Sequence, residues 1–192
     1  MISAIAVFAK APIPGRVKTR LAVAVGSAEA ARLYESMVAG LLRRLMAACE
    51  ELACDIELHT DTSSDAWAGF AVTRKLQPEG DMGVRLFHSL HAALAAGRPR
   101  VMIVGGDVPT VPVSHLMELL AMEEDVALGP AEDGGYWAIS CRRVHPSMFA
   151  GVAWSTSLAC EQTAAACRAA GLTVGLGPVW FDIDEPSDLE RI

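Results

Sequence analysis

Four stretches of the 192-residue chain carry charged residues whose types and spacing suit anion binding and acid–base or metal chemistry. The first runs from Lys10 to Arg20, with Lys10, Arg16, Lys18 and Arg20 as four cations in eleven residues and no acid among them. Arg16 and Arg20 carry planar guanidiniums suited to clamping phosphate oxygens in bidentate fashion, and Lys10 and Lys18 add point charges. Thr19 and neighbouring backbone N–H groups supply further donors. The stretch contains neither G-x-x-x-x-G-K-[ST] nor G-x-G-x-x-G. The second stretch is Val101 to Pro112. Four apolar residues lead into Gly105 and Gly106, read as a sharp turn, then into one carboxylate, Asp107, and a segment stiffened by Pro109 and Pro112. In the third, Glu132 and Asp133 precede Gly134 and Gly135, with Tyr136 and Trp137 as a potential aromatic wall. In the fourth, Asp182 and Asp184 alternate with Ile183 and so lie on one side of an extended chain. The first three stretches also have a plainer reading: a solvated basic loop, a helix-capping aspartate and a hairpin turn.

The elements that must position these residues follow from hydrophobic pattern. Strands are expected at 1–9, 54–60, 72–76, 101–104 and 125–128, a short one from Tyr136, and a last strand region at 172–181. A helix capped by Ser27 runs to about residue 49, its stripe made by Leu33, Met37, Leu41, Leu45 and Ala48. A second is capped by Asp81, buries Leu86, Phe87, Leu90 and Leu94, and ends at Gly97. Others span 113–123 and run from Trp154–Thr156 to about residue 170, and Pro186 opens a terminal one. Alternation of strands and helices implies a single domain over 1–192, an α/β fold of the three-layer α/β/α Rossmann-like type with a mostly parallel sheet. Ligands of such sheets sit outside the carboxyl ends of the strands, where the first loop and Asp107 fall. Arg85, in a first helical turn, opposes the helix dipole and so points to an anion. His59 and Asp61, at the end of the second strand, have two readings, residues near the site or ordinary ones, and the ordinary reading is preferred. His88 and His91, one helical turn apart without a carboxylate or cysteine partner, are not expected to bind metal.

Composition narrows the function classes. An apolar content of 52 % with 20 % charged residues excludes a disordered chain. Mean hydropathy is +0.32, yet no uninterrupted apolar run reaches the ~18 residues of a membrane span. The first apolar run ends at Lys10 without a basic leader, so it reads as a strand and not a signal peptide. Five cysteines without C-x-x-C indicate free thiols in a reducing cytoplasm, and a net charge of −7 argues against nucleic acid as partner.

Taken in order, K-A-P-I-P-G-R-V-K-T-R-L, G-G-D-V-P-T-V-P, G-P-A-E-D-G-G-Y-W and F-D-I-D-E-P-S-D-L resemble the DUF2064 branch of the nucleotide-diphospho-sugar transferase superfamily, with its glycosyltransferase-A fold. The chain is also similar to the phospholactate and molybdenum cofactor guanylyltransferases. The resemblance covers essentially the whole chain. It implies that Lys10, Gly15, Arg16, Lys18, Thr19 and Arg20 hold nucleotide phosphates, and that Gln77, Gly80 and Asp81 lie near base and ribose; Arg85, from its place in the helix dipole, is counted with the nucleotide-binding residues. It implies that Asp107, completed by Asp182 or Asp184, binds Mg²⁺ or Mn²⁺, and that Glu132 and Asp133 face the acceptor. Gly106 departs from the branch, where a hydroxyl is common, and the first loop is proline-rich where sugar-nucleotide pyrophosphorylases are glycine-rich. The expected activity is metal-dependent nucleotidyl transfer from a nucleoside triphosphate to a small phosphorylated or hydroxyl acceptor, with Asp107, Lys18 and Asp133 as catalytic residues. The alternatives are glycosyl transfer from a sugar nucleotide, with Asp133 as base, and nucleotide binding without turnover. Neither nucleic acid nor membrane is expected as a partner; base, acceptor and oligomeric state stay open.

Overall fold

The computed structural model describes residues 2–191. The chain runs β1 (Ser3–Ala9), α1 (Thr19–Val25), α2 (Ser27–Ala47), α3 (Cys49–Leu52), β2 (Cys54–Thr60), β3 (Thr73–Leu76), α4 (Met82–Ala95), β4 (Val101–Gly105), α5 (Val113–Ala121), β5 (Val126–Pro130), β6 (Tyr136–Cys141), α6 (Ala159–Ala169), β7 (Val174–Leu176) and a terminal 3-10 helix (Pro186–Arg191). One seven-stranded sheet has the order β3-β2-β1-β4-β6-β5-β7. Only β6 is antiparallel to its neighbours. Helices α2, α3 and α5 pack Leu41, Leu42, Leu45, Leu52, Leu116 and Leu119 on one face. On the other, α4 and α6 pack Leu86, Leu90, Ala164 and Cys167. The expected three-layer α/β/α sandwich is therefore the observed one. Among the described residues no helix is long and apolar enough to cross a membrane.

Register places the functional stretches together. Ala9 lies opposite Thr60, Thr60 opposite Leu76, and Phe8 opposite Gly105, so β1, β2, β3 and β4 finish within about a residue of one another. From β1 the chain turns to one side for β2 and β3, then crosses to β4 on the other side. That reversal makes the ends of β1 and β4 a topological switch point, where open α/β sheets leave a crevice. Lys10 and Asp107 are at its two sides.

Several elements differ from the sequence reading for identifiable reasons. Ser27 is the first helical residue, not the cap; Gly26 holds the cap position at φ 84 with no side-chain cap bond. The short α1, not expected from the sequence, is fastened by Leu21, fully buried with Ala30, Met37 and Ile183. Helix α6 starts only at Ala159, because Ser155 takes φ 61 and the Thr156 hydroxyl donates to the Ala153 carbonyl (2.7 Å), closing a turn first. The last strand region shrinks to β7 plus an isolated bridge between Ala131 and Trp180. Strand β6 returns antiparallel from β5 through the loop at 131–135, so the hairpin reading of the D-G stretch is correct.

Candidate functional site

The first loop is threaded by one buried apolar residue. Val17, 3 % exposed, enters the core between Arg16 and Lys18. Beside it the Arg16 side chain points outward and is 61 % exposed, while Lys18, with its backbone left-handed at φ 45, turns its side chain inward to 5 % exposure. Ala11 N donates to Asp61 Oδ1 (2.7 Å), and Lys10 N donates to the Tyr34 hydroxyl (3.1 Å). Tyr34 is buried in α2, and burial first, then the Asp107 charge, push its hydroxyl above the ordinary tyrosine pKa.

Lys10, Arg16, Asp61, Gly80, Asp81 and Arg85 line a cleft of about 420 Å³. That is within the usual range for small-molecule sites. Asp81 caps α4 as expected, Oδ1 accepting from Val84 N (2.9 Å). Arg85 donates from Nε to the Gly80 carbonyl (2.8 Å) and more loosely from Nη1 to Gln77 Oε1 (3.4 Å). Its place in the first helical turn is thus explained by loop bonding as well as by the cleft. Gln77 does not line the cleft wall; its Nε2 donates to the carbonyls of Ala9 (3.1 Å) and His59 (3.0 Å), tying the ends of β1 and β2.

The carboxylates gather beside this cleft. Neither Gly105 nor Gly106 has a positive φ, so the pair is not used for left-handed backbone. What the position requires is the absence of Cβ: one on Gly106 would stand 2.9 Å from Val38 Cγ2 and 3.1 Å from the Tyr34 hydroxyl. That explains the missing hydroxyl side chain. Lys18 Nζ donates to Asp107 Oδ2 (2.9 Å) and Asp184 Oδ1 (3.2 Å), and Arg20 Nη1 to Asp184 Oδ2 (2.9 Å). Burial opposes the Lys18 charge, but Asp107 and then Asp184 outweigh it, and its pKa stands above the ordinary lysine value. Ile183 is fully buried with Leu21, and its N–H donates to the Asp107 carbonyl (2.9 Å). This anchor brings both Asp182 and Asp184 to Asp107. Asp182 is pushed up to about 6, by burial first and then by the charges of Asp107 and Asp133.

The remaining candidates divide. Asp133 is exposed, and its Oδ1 accepts from Gly135 N (2.8 Å). Its loop is tightly seated: Gly134 has φ 86, and a Cβ there would lie 2.1 Å from the Ser157 carbonyl oxygen. Glu132 is held away from Asp107 by a two-pronged pair with Arg191 (2.8 and 3.0 Å). Gly15, at φ 80, and Thr19 are exposed on the first loop and at the start of α1. Asp61, read as ordinary, lines the cleft, and Tyr34 was not singled out in the sequence at all. Tyr34 is a hydroxyl-bearing aromatic on an otherwise aliphatic helical stripe, a weak but readable signal. His88 and His91 are exposed on α4 and stack with Phe87, His91 at 5.5 Å and His88 edge-on at 5.3 Å.

Among the described residues no three His, Cys, Asp or Glu side chains are grouped as a ready metal cage. The donor chemistry nonetheless fits a hard cation: Asp107, Asp182 and Asp184 offer oxygen ligands, and burial first, then the charges of Asp107 and Asp133, keep a proton on Asp182 to about pH 6.

The family model DUF2064, an uncharacterized protein conserved in bacteria, matches residues 39–156. No curated protein matches. The chain is similar to a protein of known structure from Desulfovibrio desulfuricans G20 described as a candidate nucleotide-diphospho-sugar transferase. The two are 33 % identical over 95 % of this chain and 82 % of that one, with a TM-score of 0.85. It shares its fold with a CMP:2-keto-3-deoxy-manno-octonic acid synthetase complexed with CTP, at 13 % identity over 100 % and 96 % of the two chains and a TM-score of 0.62. It does so too with an inositol-1-phosphate CTP transferase from T. maritima, at 12 % identity over 97 % and 90 % and a TM-score of 0.58.

Proposed function

We propose that this chain, which belongs to the DUF2064 family, is a metal-dependent transferase acting on a nucleotide, by nucleotidyl transfer from a nucleoside triphosphate to a small phosphorylated or hydroxyl acceptor. One observation carries the reading: a cation-lined cleft and a cluster of incompletely neutralised aspartates adjoin at the switch point of the sheet.

In this reading Lys10, Arg16 and Arg85 hold the phosphate chain, Gly15 and Thr19 shape the loop beneath it, and Asp81 and Gly80 border base and ribose, with Gln77 bracing the strand ends behind them. Lys18 and Arg20 neutralise charge at the leaving end. Asp107 with Asp182 or Asp184 would hold a Mg²⁺ or Mn²⁺ ion, which supplies charge neutralisation at the reacting phosphate. The chain's own contribution is positioning and electrostatics, the terms that dominate phosphoryl and nucleotidyl chemistry. A phosphate acceptor attacks without a base; for a hydroxyl acceptor, Asp133 would take the proton.

Glycosyl transfer from a sugar nucleotide is the second reading, favoured by the name of the Desulfovibrio relative. Products separate them. With each nucleoside triphosphate and each sugar nucleotide, the purified protein is first screened for a Mg²⁺-dependent rise in Tm, since a ligand of the native state stabilises by mass action. The stabilising ligand is then incubated with pools of small acceptors. Pyrophosphate release is the expected result; nucleoside diphosphate release replaces it with glycosyl transfer. No shift with any nucleotide sinks both.

A further inference from the structure

Lys18 is the most enclosed charge of the aspartate cluster. Its side chain is 5 % exposed, against 33 % for Asp107 and 34 % for Asp184. Its backbone lies in the left-handed region, φ 45 and ψ 49, which residues with a Cβ adopt only against a steric cost. Buried Val17 and Leu21 anchor the chain on both sides of it. The loop is thus held in an uncommon conformation that delivers a cation onto Asp107 and Asp184. These are carboxylates the reading above assigns to a divalent ion, and the inference rests on that reading. An ammonium 2.9 Å from Asp107 Oδ2 occupies the position from which a metal ion would bind that oxygen, and two cations there repel. Asp184 keeps a second partner, Arg20 at 2.9 Å, when the ammonium leaves; among the described residues Asp107 has no other cation within 4.0 Å.

We infer that Lys18 is a tethered counterion: it occupies the Asp107 site while phosphates are absent, excludes a divalent cation from it, and gives it up when phosphate oxygens draw the ammonium toward the cleft. A lysine suits this exchange because it is a compact charge on a flexible four-carbon stem. The chain's metal and phosphate sites are then positively coupled, and by linkage each ligand tightens the other by the same factor.

The test is titration of Mn²⁺ into the nucleotide-free full-length protein, reading free Mn²⁺ by electron paramagnetic resonance. Lys18→Met is expected to bind Mn²⁺ at least ~10-fold more tightly than wild type, and Lys18→Arg, which keeps the charge, to stay weak. Adding Asp107→Asn to Lys18→Met abolishes the gain. Sulfate, a tetrahedral dianion, tightens Mn²⁺ binding to wild type but not to Lys18→Met. Equal affinity in wild type and Lys18→Met, both lost with Asp107→Asn, overturns the counterion role and leaves the metal site standing. A gain that survives Asp107→Asn places the ion elsewhere and also overturns it. No Mn²⁺ binding by any form overturns the metal reading and this inference with it. Should Lys18→Met not fold, Lys18→Gln is titrated instead, with the Mn²⁺-induced rise in Tm as second readout.

Discussion

Two ion clusters in this molecule use similar residues and end in opposite electrostatic states. On β2, Glu57 is 5 % exposed and accepts from His59 Nε2 (2.8 Å) and Lys75 Nζ (2.7 Å), with Arg98 at 3.8 Å. The bond from His59, and then those from Lys75, outweigh burial and pull its carboxyl down to about 2. At the switch point, Asp182 lies among Asp107 and Asp133 and is pushed up to about 6. The first cluster is well neutralised: His59, Lys75 and Arg98 surround one buried carboxylate, while His59 Nδ1 lacks a partner among the described residues, and the cluster serves the fold. The second is incomplete, with more carboxylates than cations, and such a shortfall favours binding a further cation.

Four measurements would break or sharpen that contrast. The largest effect is expected from Asp107→Asn, a loss of roughly 1,000-fold in metal-dependent turnover with Tm near that of wild type; full activity would end the site assignment. Glu57→Ala should do the reverse. Leaving His59 and Lys75 without their buried partner costs about 3 kcal/mol and lowers Tm by roughly 10 °C, with turnover retained in the folded fraction. An unchanged melting curve would show the cluster to be dispensable. Arg16→Ala, at the exposed edge of the cleft, should weaken the stabilising nucleotide by about 10-fold through the loss of one charge-assisted contact. Calorimetry giving wild-type affinity would move the phosphates elsewhere.

The smallest effect is in pH, where the two clusters have opposite signs. Asp182 keeps its proton to about 6 in the folded chain, whereas an unfolded aspartate releases it near about 4. Its contribution to stability is therefore full below about pH 4 and is lost as pH rises through about 6. Glu57, held at about 2, contributes above about pH 4.5 and loses that contribution as pH falls toward its folded value. Asp182→Asn should remove the decline between about pH 4 and 6 and leave the acid limb intact. Tm profiles of variant and wild type that run parallel across that window would refute the shifted value.

Legibility differed by kind of residue. The bounds of β2 and the start of α5 were readable because an apolar run meets a polar or proline stop within one or two residues. Asp107, Asp182 and the first-loop cations, which the fold brings to one end of the sheet, were readable in the sequence as candidates because charged residues at strand ends have few structural reasons to be there. Asp61 and Tyr34 were not, because each looks local: an acid after a strand and an aromatic on a helix stripe. Their roles exist only through Ala11 N and Lys10 N, 50 and 24 residues away. Nor was the unequal use of the four loop cations readable. Val17 is buried in the core against α2, and the left-handed backbone at Lys18 turns that side chain inward where Arg16 points out.

Local sequence determined the strands, most helices, the α/β layering and which strand ends would carry charge, because hydrophobic period and turn residues act over a few positions. Tertiary structure decided the α1 turn and which charges meet. Strand register and the burial of Ile183 beside Leu21 set the distances among Lys18, Asp107, Asp182 and Asp184. Electrostatic state depends on those distances and on solvent exclusion, which residues up to 166 positions apart acquire only when the sheet closes around them.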